Sequence, residues 1–162
     1  MVKEMFGFGK KKEKVVSVAD GELIPITKVN DDVFSEKMMG DGFAVIPADN
    51  KVYSPVSGTV STVFPTGHAI GITTDKGLEV LVHMGLDTVE LNGEPFVGKV
   101  KQGQKIDKGD LLSFMDIDSV KDSGRDSVIV IVYTNMDVTR EVPEISDQST
   151  THGDEVGEIR YN

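Results

Sequence analysis

The stretch HAIGITTDKGLEVLVHMG, residues 68–85, contains the pattern that decides the fold. Two runs of mostly branched apolar residues flank a turn signal at Thr74 to Gly77, which predicts two antiparallel strands joined by a tight hairpin. Each run carries a histidine at its end away from the turn, His68 before the first run and His83 at the end of the second. The pattern therefore predicts that the two imidazoles lie at the same end of the hairpin.

The length of the hairpin loop determines how closely the two histidines approach each other. If Asp75 and Lys76 form a two-residue loop, His68 and His83 lie directly opposite each other, with Cβ atoms about 4.5–5.5 Å apart on one face. If the loop has three residues, with Gly77 in the left-handed conformation, the histidines are offset by one position. The sequence alone leaves both registers open.

The rest of the chain repeats this alternation of short strands and turns, the turns being ADG, ADNK, TDKG, LNGE, KQGQ and DKGD. Two segments are predicted to be helical: NDDVFSEKMMGDG, with candidate N-caps at Asn30 to Asp32 and Gly40 near its end, and DIDSVKDSG. The run VKQGQKIDKGDLL has the valine and glycine rhythm of compact hybrid barrels. We therefore predict an all-β fold, an antiparallel β-sandwich or barrel-sandwich hybrid (duplicated hybrid motif) with a few short helices.

The composition narrows the class of protein. The chain has 162 residues, 38% of them apolar and 27% charged, and a net charge of −10. This charge argues against a nucleic-acid partner but suits a basic protein partner. The absence of cysteine excludes disulfides, thiolate zinc sites and a cysteine nucleophile. Without a secretory signal or an apolar run near the ~20 residues of a membrane helix, the expectation is a soluble, cytoplasmic protein.

Two segments are predicted along the chain. Residues 1–14 read as a flexible, lysine-rich tail with Phe6 and Phe8 near its start, and residues 15–162 read as a single domain. The main expectation for the tail is a disordered leader. The alternative is a weak electrostatic contact with an acidic membrane, to which each lysine contributes about 1 kcal/mol.

The histidine pair, with Thr66 and Asp87 nearby, admits few kinds of chemistry. A serine triad is unsupported because no G-x-S-x-G segment is present, and GFGKKKEK lacks the spacing of a P-loop. Zinc remains an alternative, since His68, His83 and Asp87 can supply three ligands, although no H-E-x-x-H segment exists. Taken singly, each histidine is better explained as a hydrogen-bonded polar residue at a strand end, and only the pair with Thr66 and Asp87 favours a functional site.

A histidine can also be the nucleophile itself. A neutral imidazole with a pKa near 6.5 has a free lone pair at pH 7 and can take up a phosphoryl group reversibly. If His83 is that acceptor, His68 can hold the phosphoryl oxygens, the Thr66 hydroxyl can fix the tautomer of His68, and Gly85 lets the backbone approach closely. His152 lies among small polar residues and is expected to be exposed and uninvolved.

At these residues the sequence resembles the glucose-type enzyme IIA family of the bacterial phosphoenolpyruvate-dependent sugar phosphotransferase system. The resemblance implies a type-1 EIIA domain in which His83 is phosphorylated, His68 aids transfer and bonds to Thr66, and Asp87 lies at the rim. It further implies a phosphotransferase component that accepts phosphate from the phosphocarrier HPr and passes it to a sugar-specific IIB domain. The matching motifs span about residues 20–140: NDDVFSEKMMGDGFAV, VYSPVSGTV, VFPTGHAIGI, GLEVLVHMGLDTVELNGEPF and, more loosely, VIVIVYTNMD.

The resemblance also implies an apolar docking patch for HPr and the IIB domain, although helical spacing alone would place Phe34 and Met38 in a core. It implies no cofactor and no required metal, while two close histidines can bind zinc adventitiously or in regulation. A monomer is expected, and the sugar and any regulatory target proteins are left open. The positions that match the docking patch are Val33, Phe34, Met38, Met39, Phe64 and Leu81.

Two departures and two alternatives accompany this interpretation. The segment SVADG lacks the family's proline, and EISDQSTTHGDEVGEIRYN matches too weakly to carry any role over. A zinc endopeptidase of the lysostaphin type needs a His-x-His pair, but the second residue after His83 is Gly85. A lipoyl or biotinyl carrier is suggested by VKQGQKIDKGDLL, yet TDKGL matches the carrier lysine motif poorly.

Overall fold

The computed structural model describes residues 11–162, and this part of the chain consists mainly of short strands, as the all-β prediction requires. It also contains the α-helices α1 (Asp32–Ser35) and α2 (Ile117–Asp122) and 3-10 turns at Ile26–Lys28, Thr88–Leu91 and Met136–Val138. The strands are β1 (Lys12–Val16), β2 (Gly21–Pro25), β3 (Gly42–Pro47), β4 (Lys51–Tyr53), β5 (Gly58–Val63), β6 (Ala69–Thr73), β7 (Glu79–Met84), β8 (Phe96–Gly98), β9 (Lys105–Ile106), β10 (Leu111–Met115), β11 (Ile129–Tyr133), β12 (Thr139–Glu141), β13 (Gln148–Thr150) and β14 (Glu155–Tyr161).

Within residues 11–162 the strands form one sheet of eight and two sheets of three. The large sheet has the order β13-β2-β3-β11-β7-β6-β5-β9, and the small sheets have the orders β1-β14-β12 and β4-β10-β8. Every pairing is antiparallel. Strand β11 is buried along its whole length, as its unbroken apolar sequence IVIVY predicts for an interior strand. The histidine hairpin β6–β7 lies beside it, which places both histidines in the interior of the large sheet.

The two faces of the large sheet pack into two different apolar clusters of this chain. Along β7, Val80, Val82 and Met84 point into the main core, whereas Leu81 and His83 point to the opposite face. This alternation follows from the two-residue side-chain period of a strand. The face that carries His83 also carries a second apolar cluster, which includes Phe34 of α1. Helix α1 therefore covers the sheet immediately beside His83.

An aspartate side chain caps the N-terminus of each helix. The side chain of Asp31 accepts a hydrogen bond from Val33 N at 2.9 Å, and that of Asp116 accepts one from Ser119 N at 3.1 Å. Helix α1 ends before Gly40 is reached, because Lys37 already adopts the left-handed conformation with φ 59°. Met38 and Met39 therefore lie outside the helix, and their side chains are exposed.

The predicted boundary of the N-terminal tail at residue 14 is wrong. Strand β1 begins at Lys12 and pairs antiparallel with β14, with Lys12 opposite Arg160 and Lys14 opposite Glu158. Glu13 is also held, since its carboxylate accepts a hydrogen bond from the Tyr161 hydroxyl at 2.5 Å. A strand at the edge of a sheet can carry polar residues on its exposed face. The lysines of β1 therefore resembled a tail in the sequence, although they belong to a strand. Residues 1–10, with Phe6 and Phe8, lie outside the described residues.

His152 makes specific contacts, contrary to the expectation that it is an uninvolved surface residue. Its Nδ1 lies 2.8 Å from an Asp20 carboxylate oxygen, and its ring stacks on Tyr53 with centroids 4.0 Å apart. A hydrogen bond from the His152 backbone N–H, at 2.9 Å, and the ring contact together lower the pKa of Asp20. The contacts tie the turn before β14 to the turn after β1. His152 follows β13, the edge strand of the large sheet, four strands away from β7.

Candidate active site

The hairpin register places the two histidines on neighbouring strands with an offset of one residue. Ala69 lies opposite His83, and Thr73 lies opposite Glu79. The loop has three residues and ends at Gly77 with φ 87°, so the three-residue alternative is correct and the two-residue alternative is wrong. His68 precedes the first residue of β6, and its carbonyl accepts a hydrogen bond from Met84 N at 2.8 Å.

Despite this offset, the two imidazole rings are in contact. Their centroids are 5.2 Å apart, and the rings meet edge to face at 80°. His68 itself is only 6% exposed. The structure therefore brings His68 and His83 together, although not as a directly opposed pair.

Thr66 holds the ring of His68. Its Oγ1 lies 2.5 Å from His68 Nδ1, so the predicted hydrogen bond between these two side chains is present. A tight turn makes this geometry possible, because Gly67 has φ 74° and its N–H donates to the Phe64 carbonyl at 2.7 Å. With Nδ1 engaged by the hydroxyl, Nε2 of His68 is the nitrogen available to a ligand.

His83 is partly buried and stands against Phe34, whose ring centroid lies 5.0 Å from that of the imidazole. The Nδ1 atom of His83 is enclosed, and it has no hydrogen-bond partner of good geometry among residues 11–162, although the Gly85 backbone is close enough to affect the ring. This enclosure leaves Nε2 as the nitrogen of His83 that an incoming group can reach. Both histidines thus direct the same ring atom toward the site.

Burial keeps both imidazoles neutral. It lowers the pKa of His83 to about 4, with a further decrease from the proximity of His68 and partial compensation by the Gly85 backbone and the carboxylates of Asp31 and Asp87. Burial also lowers the pKa of His68. At pH 7 the lone pair of His83 is therefore available for nucleophilic attack.

The lowered pKa of His83 predicts a specific acid sensitivity. Between pH 6.5 and about 4 the unfolded chain binds a proton at this residue and the folded chain does not, so acidification favours unfolding. Stability that is present above pH 6.5 is lost as the pH falls through this window. We expect His83→Asn to reduce that loss by on the order of 2 kcal/mol. Chemical denaturation across the window measures it, and parallel curves for both proteins would contradict the assignment.

The turn after β7 requires glycine at position 85. Gly85 has φ 78°, and a Cβ there would lie 2.4 Å from Thr88 Cγ2 and 3.1 Å from the Asp126 carbonyl oxygen. Gly85 N donates to the Val128 carbonyl at 2.8 Å, which fixes the turn to the segment that leads into β11. The turn then brings Asp87 to the surface in the left-handed conformation, with φ 57°. Asp87 is exposed, as expected for a residue at the rim.

Arg125 is a site residue that the sequence did not reveal. Its Nε donates to the Asp87 carbonyl at 3.1 Å, one terminal nitrogen contacts the Glu90 carboxylate at 2.8 Å, and the other donates to the Ser123 carbonyl at 3.3 Å. The guanidinium thereby supports the left-handed turn at Asp87 from a segment 38 residues away. The local sequence SGRD suggests only a polar loop.

Four of the six side chains predicted to form the docking patch are exposed. Met38 is 66% exposed, and Val33, Met39 and Phe64 are also exposed. Phe34 corrects the prediction, because it is buried between the sheet and α1 and cannot serve as an exposed contact. Leu81 is partly buried. Val89, just after Asp87, is exposed and was not predicted.

The site is an open surface and not a deep pocket. A shallow cavity of about 250 Å³ is lined by Met39, Phe64 and Leu81, among others; neither histidine lines it, although Phe64 also contacts the His68 ring. A larger cavity, of about 490 Å³, lies elsewhere, beside Lys37 and Val142. An open, apolar surface of this kind is typical of protein interfaces more than of pockets for small molecules.

The alternative of a three-ligand zinc site finds no support in the geometry. Among residues 11–162, no group of three or more histidine, cysteine, aspartate or glutamate side chains is placed to hold a metal ion. Asp87 therefore does not complete a ligand set with the two histidines. In the same part of the chain, every helix is too short or too polar to span a bilayer.

Comparison with known proteins agrees with this arrangement. Residues 13–139 match the family described as phosphoenolpyruvate-dependent sugar phosphotransferase system, EIIA 1. The glucose-specific EIICBA component of the phosphotransferase system of Streptococcus pneumoniae is 55% identical over 130 residues, which cover 80% of this chain and 18% of that protein. The chain thus spans less than a fifth of that relative.

Among solved structures, the glucose permease IIA from Mycoplasma capricolum matches with a TM-score of 0.83 and 39% identity, over 91% of this chain and 96% of that one. This match confirms the predicted β-sandwich fold. The family match covers most of the chain, and the similarity to the solved structure extends along nearly the whole of that protein. The chain therefore belongs to the EIIA 1 family of the phosphoenolpyruvate-dependent sugar phosphotransferase system.

Proposed function

We propose that His83 Nε2 accepts a phosphoryl group from phospho-HPr and passes it to the IIB domain of a sugar permease. The observation that carries this proposal is the contact of two neutral imidazole rings, whose centroids are 5.2 Å apart. Nδ1 of His68 is bonded to Thr66, and Nδ1 of His83 is buried. In this arrangement one Nε2 serves as the nucleophile and the other faces the oxygens of the bound group.

In the accepting step, the lone pair of His83 Nε2 attacks phosphorus and the bond from phosphorus to the donor breaks, so that the bonding pair leaves with the donor. If the Thr66 hydroxyl donates to His68 Nδ1, the ring proton of His68 lies on Nε2 and can donate to a phosphoryl oxygen. The open apolar surface seats the donor, and the carboxylates of Asp31 and Asp87 attract a basic partner surface. The second step reverses these roles toward the IIB domain.

Charge and exposure favour protein partners on this surface. Met38 and Met39 are adaptable side chains, which suits a surface that binds two different proteins in turn. We place these exchanges in the cytoplasm, with the protein acting as a monomer. No cofactor enters the proposed transfer.

The direct test is the intact mass of the protein after incubation with phosphoenolpyruvate, enzyme I and HPr. The proposal expects one added phosphoryl group that is lost in acid, as a phosphohistidine is. The matched control omits HPr and should give no mass change. An unchanged mass with active reagents would reject the proposal.

Arg125 should influence transfer without taking part in it. Replacing Arg125 by glutamine removes the support of the Asp87 turn, and we expect the KM for phospho-HPr to rise about fivefold, while the free energy of unfolding falls by about 1 kcal/mol. Initial rates at varied phospho-HPr concentration measure the effect. Lys121→Gln in α2 removes the same charge as a control. Equal KM values for the two variants would contradict a positioning role.

A further inference from the structure

A second charged feature lies where the two ends of the described chain meet. Strands β1, β12 and β14 form one sheet, and a cavity of about 260 Å³ opens at its surface. Four of its five lining residues are cationic, and it shares none of them with the histidine site. The lining residues are Lys11, Lys12, Arg140, Arg160 and Tyr161.

The sheet places some of these cations unfavourably close to each other. Lys12 lies directly opposite Arg160 in the ladder, and both side chains are exposed on the same face. Like charges in directly opposed positions destabilise a β-sheet pair. An anion bound between them would relieve this repulsion.

Carboxylates neutralise only part of this charge. Arg160 contacts Glu141 at 3.2 Å and Glu158 at 3.9 Å. Within residues 11–162, Lys11, Lys12 and Arg140 have no carboxylate oxygen within 4.0 Å. Tyr161 contacts one charge of each sign, since Lys76 Nζ lies 5.9 Å from its ring centroid and its hydroxyl donates to the Glu13 carboxylate at 2.5 Å. The pocket is therefore locally basic on a chain with a net charge of −10.

We propose that this pocket binds a phosphate-bearing anion. The argument combines the cavity, three cations with no carboxylate oxygen within 4.0 Å among residues 11–162, and two arginines, whose planar groups donate paired hydrogen bonds to phosphate oxygens. The volume suits a single phosphate or phosphoryl headgroup. Such an anion can come from an acidic lipid headgroup or from a soluble phosphate, and both sources share the chemistry that the pocket recognises.

The experiment uses the full chain and two probes, inorganic phosphate and vesicles of phosphatidylglycerol in phosphatidylcholine. Phosphate binding is followed by backbone amide NMR shifts, and vesicle binding by co-sedimentation at low salt. The test variant is Lys12→Gln with Arg140→Gln, and the control variant is Lys101→Gln with Lys105→Gln, two exposed lysines elsewhere on the surface. Both double variants remove two positive charges and leave residues 1–10 unchanged.

We expect the Lys12 and Arg140 variant to lose affinity for the effective probe by roughly tenfold or more, while the control loses much less. Binding to vesicles alone assigns the pocket to lipid headgroups, and shifts with phosphate at the pocket residues assign it to a soluble phosphate. The proposal is overturned if neither probe binds, if both double variants weaken binding equally, or if the test variant binds like the original protein. Phosphoryl transfer at His83 is not involved in any of these readouts.

Discussion

Replacing His83 by alanine should abolish phosphoryl acceptance. The substitution removes the nucleophilic Nε2 from the proposed acceptor. His68 does not replace it, because its ring is 6% exposed and is bonded to Thr66. The measurement is the intact mass after incubation with phosphoenolpyruvate, enzyme I and HPr. The variant should show no added phosphoryl group.

Folding of the variant must be checked separately, since the His83 ring packs against Phe34. Alanine also removes a buried nitrogen that lacks a hydrogen bond of good geometry among residues 11–162, so we expect the fold to survive. The matched control is His152→Ala, which deletes an imidazole outside the site and should leave acceptance unchanged. A folded His83→Ala protein that still becomes phosphorylated would refute the assignment of the acceptor.

Replacing His68 by glutamine should separate the two halves of the transfer. The amide keeps a neutral hydrogen-bond donor near the phosphoryl oxygens, so the protein should still become phosphorylated. Glutamine cannot become cationic as charge develops during departure, whereas an imidazole can. We therefore expect transfer from phospho-His83 to the IIB domain to slow by about 10²-fold or more.

This second prediction is measured by loading the variant to completion with phospho-HPr, removing the donor and following the loss of mass after a IIB domain is added. Thr66→Val is the companion variant, because it retains the His68 imidazole and removes only the hydrogen bond to Nδ1. It should slow transfer less than the glutamine variant does. If His68→Gln transfers at the original rate, His68 has no role in the outgoing step.

The hairpin shows how far local sequence reaches. Alternating apolar residues around Thr74 to Gly77 predicted both strands, because a two-residue period and a turn signal act over a few residues. The register depended on whether Gly77 joined the loop, and its positive φ decided this point. The charged composition of residues 12–14 predicts a tail, but these residues belong to β1. The sequence does not reveal this strand, because its partner β14 lies near the other end of the described chain.

Residues whose role depends on distant contacts were harder to predict. Phe34 lies at a position that matches the family's docking patch, yet the packing of α1 on the large sheet buries its side chain against His83. Arg125 appears in a plain polar loop, and only the fold carries its guanidinium to the Asp87 carbonyl. No local pattern encodes either contact, since each joins segments that meet only after the sheet has formed.

The sequence by itself determined the all-β class, the two aspartate-capped helices and the identity of the histidine pair with Thr66, because propensities, turn residues and short motifs are local properties. The tertiary structure alone decided that the rings meet at 5.2 Å despite an offset register, that Nδ1 of His83 is enclosed, and that burial lowers its pKa to about 4. These properties arise from the removal of water by α1 and the neighbouring strands. Desolvation exists only once the chain is packed.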